Sequence, residues 1–297
     1  MKFKKSISLT VAAVMLLTFL TGCKPQNDDT IHMATKPMTE QYIMGYMMKA
    51  LIEHDTGLTV ELTEGVGGGV ANIQPALEKG EFDFYPEYTG TGWNAVLKEE
   101  SLYDESMFSQ LQSGYDALGL TWTGMIGFNN TYGLIVAREI AEEYNLRTYS
   151  DLAAVADQLT FGAEYDFFER EDGYDALCET YGLRFADTMD LDIGLKYDAI
   201  NQRKIDVMNI FTTDGQLSVS DVTVLEDDLG LYPSYVCGFV VRQDTLQAHP
   251  ELQAVFDKVT GLITDAEMAE MNYLVEGEGQ DPEDVALAFL REKGLVQ

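Results

Sequence analysis

Aromatic residues sit where strand-like runs give way to turns in four segments, Tyr85-Pro86-Glu87-Tyr88, Asn129-Asn130-Thr131-Tyr132, Phe211-Thr212-Thr213-Asp214 and Tyr232-Pro233-Ser234-Tyr235. A single Tyr or Phe on a strand is ordinarily core, but several π faces around one point attract a weakly hydrated cation. Each face contributes roughly 0.5–2 kcal/mol, and quaternary ammonium groups are commonly held this way. Other chemistries lack their residues. His32, His54 and His249 are scattered without metal-ligand spacing, and neither His-Glu-x-x-His nor paired Cys-x-x-Cys occurs. No Gly-x-Ser-x-Gly elbow or Walker A loop is present. The run Gly65-Val66-Gly67-Gly68-Gly69-Val70 lacks the third glycine of a dinucleotide fingerprint and reads as a strand-to-helix turn. With 50 Asp and Glu in the chain, a cluster such as Glu169-Arg170-Glu171-Asp172 is no evidence for a glycosidase pair.

The elements that must position these rings follow from periodicity. A short strand over residues 31–34 precedes a helix in which Ile43, Met44, Met47, Met48, Leu51 and Ile52 recur at helical spacing; Thr39 is its expected N-cap and Gly57 its stop. Alternation predicts strands over 58–62 and 82–84, the latter ended by Pro86, with a helix over 71–79 between them. This β-α-β-α-β rhythm defines an open α/β sheet with parallel crossovers. The rhythm returns downstream: strands over 121–126, 131–137, 159–163, 205–210, 222–225 and 235–241 are interleaved with helices. Three helical segments, near 250–262, 265–274 and 282–293, close the chain.

Residues 73–92 align without gaps on residues 196–215. Ala76/Ala199, Asp83/Asp206, Thr89/Thr212 and Gly92/Gly215 are identical, and Tyr88 falls on Phe211. The echo predicts two lobes of like topology, each delivering an aromatic just past the carboxyl end of a strand, where open α/β sheets bind ligands. Facing one another, the lobes would close on a solute. Tyr88 and Phe211 would then stand on opposite walls of one cleft, with crossings near 129–132 and 235–239.

The amino terminus carries Lys2, Lys4 and Lys5, an apolar run over 11–20 and Leu20-Thr21-Gly22-Cys23. This reads as a signal peptide (1–23) with a lipobox, leaving a diacylated Cys23 and a polar tether over 24–30. The expected location is extracytoplasmic, anchored to the cell membrane through that lipid. A formal charge of −31 disfavours nucleic-acid partners and reads as a solvated acidic surface. The other cysteines, Cys178 and Cys237, could form a disulfide in an exported protein or remain two small hydrophobes.

Six motifs resemble, in order, the substrate-binding proteins of osmoprotectant ABC importers, the glycine betaine, choline and carnitine family with a type II periplasmic-binding fold. They are Thr39-Glu40-Gln41-Tyr42-Ile43-Met44-Gly45, Tyr85-Pro86-Glu87-Tyr88-Thr89-Gly90-Thr91, Gly127-Phe128-Asn129-Asn130-Thr131-Tyr132, Arg170-Glu171-Asp172-Gly173-Tyr174, Thr213-Asp214-Gly215 and Val241-Arg242-Gln243-Asp244-Thr245-Leu246. The resemblance implies two α/β lobes (31–130 with 238–297, and 131–237) around a ligand cleft. It also implies a cage for a trimethylammonium head at Tyr88, Tyr132, Phe211 and Tyr235, with Gln41 and Thr91 meeting the ligand's polar tail. A permease and an ATPase are the implied partners, and neither catalysis nor a cofactor is expected. Departures are Phe211 where the family usually has Tyr, Lys36-Pro37-Met38 where it has Lys-Asp-Phe, and the surroundings of Cys237-Gly238-Phe239. Two rivals remain. A binder of another small cationic or zwitterionic solute, such as an amino acid, should present a paired Arg and Asp, and an extracellular hydrolase needs a nucleophile with its base or a metal.

Overall fold

The computed structural model describes residues 29–164, 167–168, 173–192 and 195–297. The signal and lipobox reading of 1–23, nearly all of the tether and Arg170-Glu171-Asp172 of the fourth motif lie outside the described residues.

In chain order the elements are β1 (Thr30–Ala34), α1 (Thr39–Thr56), β2 (Thr59–Thr63), α2 (Val70–Lys79), β3 (Phe84–Tyr88), α3 (Phe108–Asp116), β4 (Leu120–Thr123), β5 (Tyr132–Ala137), α4 (Arg138–Tyr144), β6 (Thr160–Ala163), α5 (Tyr174–Tyr181), β7 (Asp187–Asp190), α6 (Lys196–Asn201), β8 (Val207–Phe211) and β9 (Val222–Leu225). They continue with β10 (Cys237–Arg242), α7 (Gln243–Ala248), α8 (Leu252–Val259), α9 (Asp265–Glu276) and α10 (Pro282–Glu292). Two five-stranded sheets form, in the orders β2-β1-β3-β10-β4 and β7-β6-β8-β5-β9. The strands bearing Tyr88 and Phe211 take the same central place in each: β3 lies between a parallel β1 and an antiparallel β10, and β8 between a parallel β6 and an antiparallel β5. The internal echo is thus matched by equal topology.

Each sheet has its own apolar packing. In the first lobe Met44, Met47, Met48 and Leu51 of α1 bury against Phe84, Phe239 and Phe256. The Phe84 and Phe256 rings meet edge-on at 5.3 Å. In the second, Leu134, Val136, Phe161, Leu177 and Val207 are fully buried together. Complete burial of such a side chain stabilises by roughly 1.5–3 kcal/mol, so each sheet is held by its own apolar packing.

Two local expectations need correction. Thr39 is the first helical residue of α1 and not its cap; Met38 takes that position, where its carbonyl accepts the N–H groups of Gln41 and Tyr42 and no side-chain cap is made. Pro86 lies inside β3 instead of ending it. Thr89 donates to Val236 and Arg242 donates to Asp83 across the β3–β10 ladder. Their parity places Pro86, opposite Phe239, at a non-hydrogen-bonded position. Its missing N–H therefore faces the β1 side, just past the Met33↔Phe84 pair of the parallel ladder, and leaves the β3–β10 ladder intact. Strand β7 and helix α7 were not legible, since Asp187-Thr188-Met189-Asp190 and Gln243-Asp244-Thr245-Leu246-Gln247-Ala248 carry no apolar period.

Cys178 and Cys237 are both free thiols. Cys237 is buried with its sulfur 3.5 Å from Met44 Sδ. Replacing Phe256, buried against Phe84 and Phe239, by Ala should lower stability by about 3–5 kcal/mol in urea unfolding. A loss under 1 kcal/mol would mean that this triad does not carry the packing of the first lobe.

Candidate functional site

Between the two sheets lies a cavity of about 680 Å³. Its lining includes Tyr88 and Thr91 from the end of β3 and the turn after it, Asn130, Thr131 and Tyr132 entering β5, Phe211, Thr213 and Asp214 leaving β8, and Tyr235 before β10. Lys36, with Thr39, Glu40 and Tyr42 of α1 and Asn272 and Glu276 of α9, also lines it. The carboxyl ends of β3 and β8 both open into this space, which puts the cavity where the sheet rule places ligands.

Two chain segments join the lobes beside the cavity. Asn129 bridges Val236 in antiparallel fashion, Tyr235 N–H donates to Asn129 Oδ1 at 2.6 Å, and Thr131 Oγ1 donates to the Pro233 carbonyl at 2.8 Å. The connection is a pair of crossing strands fastened by side chains, flanked by Thr212, whose N–H donates to the Thr131 carbonyl at 3.0 Å.

All four expected rings line the same cavity, although they come from separate segments. Their exposures differ. Phe211 is 37% exposed and Tyr88 only 5%, and Tyr132 and Tyr235 are half-buried. Tyr132 and Phe211 pack on one another with centroids 4.8 Å apart and 31° between planes, and Tyr232 backs Tyr132 at 5.5 Å. They form one continuous aromatic wall on the second lobe. Tyr235 stands against Gly90, where a Cβ would come within 2.8 Å of its ring and 2.6 Å of the Ser234 carbonyl, so only glycine lets it close on the turn after β3. Tyr88 is already engaged: Lys36 Nζ lies 4.8 Å from its ring centroid, and its hydroxyl donates to Glu40. Thr91 lines the cavity as expected of a residue meeting a ligand. Gln41 does not. It is fully buried behind the lining, and its Oε1 accepts the Lys36 N–H at 3.3 Å.

Sequence reasoning missed the charged groups. Lys36 forms a buried ion pair with Glu87, whose carboxylate also accepts from Tyr88 N–H at 2.7 Å and from Tyr85 hydroxyl at 3.1 Å. Glu40 is buried and accepts from Tyr88 hydroxyl, Asn130 Nδ2 (2.7 Å), Thr213 Oγ1 (2.9 Å) and Asn272 Nδ2 (3.4 Å). Burial pushes its carboxyl above the usual range, and these four hydrogen bonds offset part of that. Asp214 is also raised by burial, against the hydrogen bonds it accepts from Phe211 N–H (3.2 Å) and Tyr197 hydroxyl (3.1 Å). Among the described residues Lys36 is the sole Lys or Arg in the lining, against the acids Glu40, Asp214 and Glu276. The cavity therefore favours a ligand that brings positive charge. The available signal was the density of Asn and Thr in the third and fifth motifs, which supply Asn130 and Thr213.

The second lobe has its own ion pair behind β8. Lys196 donates to Glu164 Oε2 at 2.6 Å and to the carbonyl and Oδ1 of Asn209 at 2.9 and 3.1 Å, while Asn209 Nδ2 donates to Glu164 Oε1 at 3.0 Å.

With the geometry in place, the chain can be set against known proteins. A family model described as the substrate binding domain of ABC-type glycine betaine transport system matches residues 29–292. The protein belongs to this family of solute-binding domains, with two α/β lobes of the periplasmic-binding-protein fold. It is 38% identical over 292 residues to the ergothioneine transport permease/ergothioneine binding protein EgtU of Helicobacter pylori, a match covering 97% of this chain and 52% of that one. The chain thus spans about half the length of that relative. It is 35% identical to the carnitine transport binding protein OpuCC of Listeria monocytogenes, covering 99% of this chain and 98% of that one. Among solved structures, a glycine betaine/carnitine/choline ABC transporter crystal structure superposes with a TM-score of 0.84 at 34% identity, covering 89% of this chain and 99% of that one.

The second ion pair yields a pH signature. Burial alone would raise the Glu164 carboxyl, but the hydrogen bonds from Lys196 and Asn209 and the lysine's charge together hold it below the usual range. Its stabilisation is complete above the unfolded value and lost as pH falls through the lowered folded value. Thermal melts between about pH 5 and 3 should therefore show a smaller acid-induced drop in Glu164→Gln than in the wild type. Parallel melting curves would contradict this assignment.

Proposed function

We propose that the protein is the extracytoplasmic solute-binding subunit of an ABC importer and captures a quaternary ammonium solute in an aromatic cage. The observation that carries this reading is the meeting of Tyr88, Tyr132, Phe211 and Tyr235 on one cavity between two lobes. The Tyr132–Phe211 wall and Tyr235 supply the accessible π faces. Tyr88, with Lys36 over its ring, serves as the floor. Thr91, together with Thr39 and Tyr42, provides hydroxyls for the polar tail, and Gln41 supports this wall from behind. Glycine betaine, choline and carnitine are the candidate ligands, in keeping with the names of the relatives.

One observation favours a longer betaine such as ergothioneine. The Helicobacter protein, named for that solute, matches 97% of this chain, and Asp214 and Glu276 line the cavity as acceptors for a tail carrying N–H groups. A binder of the amino-acid type is less well supported, because among the described residues no Arg lines the cavity to receive an α-carboxylate.

The division into 31–130 with 238–297 and 131–237 is the proposed lobe boundary. We further propose that a signal peptide over 1–23 is removed and that Cys23 carries the lipid anchoring the protein to the cell membrane, through the tether 24–30. A membrane permease driven by an ATPase would receive the solute. The protein acts by binding and release and performs no catalysis.

Isothermal titration of residues 24–297 with glycine betaine, choline, carnitine and ergothioneine, with glycine and glutamine as controls, tests the ligand class. Tyr132→Ala or Tyr235→Ala should weaken binding of the preferred amine by ~1–3 kcal/mol through lost cation–π attraction and packing. Unchanged affinity in both variants would remove the cage.

A further inference from the structure

Glu40 is buried, and its carboxylate joins parts of the chain that belong to different lobes. One oxygen accepts from Tyr88 at the end of β3 and from Asn130 in the crossing segment. The other accepts from Thr213, just past β8 in the second lobe, and from Asn272 on α9. Asn272 Nδ2 in turn donates to the Thr213 carbonyl at 2.9 Å. The approach is close enough to require glycine at the next turn position but one: a Cβ on Gly215 would lie 2.7 Å from the backbone nitrogen of Tyr273. The turn following Phe211 is therefore seated on α1 and α9 of the opposite lobe, through a carboxylate that also holds a cage tyrosine.

We propose that Glu40 is the positioning residue that couples the aromatic cage to closure of the cleft, holding Tyr88 from one lobe and the Thr213 turn from the other on a single carboxylate. A buried carboxylate has strong need of donors. Opening the cleft withdraws Thr213 from it, and closing restores that bond while bringing Phe211 toward the Tyr88 side. The affinity part of the test rests on the quaternary-ammonium reading; the geometric part does not.

The experiment uses the full chain in detergent. Nitroxides are attached through non-canonical ketone side chains at the exposed positions Lys79 and Glu142, one on each lobe. Inter-lobe distances are read by double electron–electron resonance without ligand and with glycine betaine or ergothioneine. The isosteric Glu40→Gln, which loses one acceptor oxygen, and Thr213→Val, which removes only the second-lobe partner, should both broaden the ligand-free distribution toward longer distances. Both should also weaken binding of whichever probe the wild type binds by tenfold or more, chiefly through faster release. A merely structural role would lower the melting temperature and leave the distances in place. If Glu40→Gln fails to fold, Thr213→Val decides. Wild-type distances in the variants overturn the proposal, as do longer distances with affinity within twofold of wild type. If the wild type binds neither probe, nor choline nor carnitine, the ligand reading fails and the distance comparison alone upholds or overturns the latch.

Discussion

A carboxylate taken out of water has to find its donors in the protein or give up its charge. Glu40 meets that demand with one hydroxyl from β3, one amide from the crossing segment, one hydroxyl from the turn after β8 and one amide from α9. Satisfying it fixes where four distant parts of the chain must stand relative to one another. The buried Lys36–Glu87 pair beside it imposes a second constraint of the same kind, tying the loop after β1 to the strand that carries Tyr88. The aromatic walls are arranged around these polar anchors, and the apolar packing of each lobe is left to hold its own sheet.

The architecture divides labour accordingly. Each five-stranded sheet is a self-contained body with its central strand aimed at the cavity. The segments between them are short and held by side-chain hydrogen bonds through Asn129, Thr131 and Thr212. A solute entering the cavity meets a rigid aromatic wall on one lobe, where Tyr132, Phe211 and Tyr232 support each other, and a ring pinned by charge on the other. Rigid walls on two movable bodies allow capture without rearranging either core.

Much of this is legible in the amino-acid sequence. Met44, Met47, Met48 and Leu51 announce α1 by their period, and the match of 73–92 with 196–215 announces two lobes of one topology, because both are patterns of apolar burial repeated along the chain. The placement of Tyr88 and Phe211 follows from that repeat. What was not legible depends on partners far apart in sequence. Lys36 and Glu87 are 51 residues apart, and Glu40 and Asn272 are 232 apart. Gln41 and Glu40 are adjacent polar residues of one helical turn, and nothing local says which one lines the cavity. Pro86 misled because its effect depends on ladder parity, which is a property of the neighbouring strand.

The most direct measurement is a crystal structure of the protein with a bound quaternary amine. The account places the ligand nitrogen within about 6 Å of the ring centroids of Tyr132, Phe211 and Tyr235, the range over which cation–π attraction acts, with the polar tail toward Thr91. A head group bound away from these rings, or a ligand seated outside the cavity between the lobes, would contradict it.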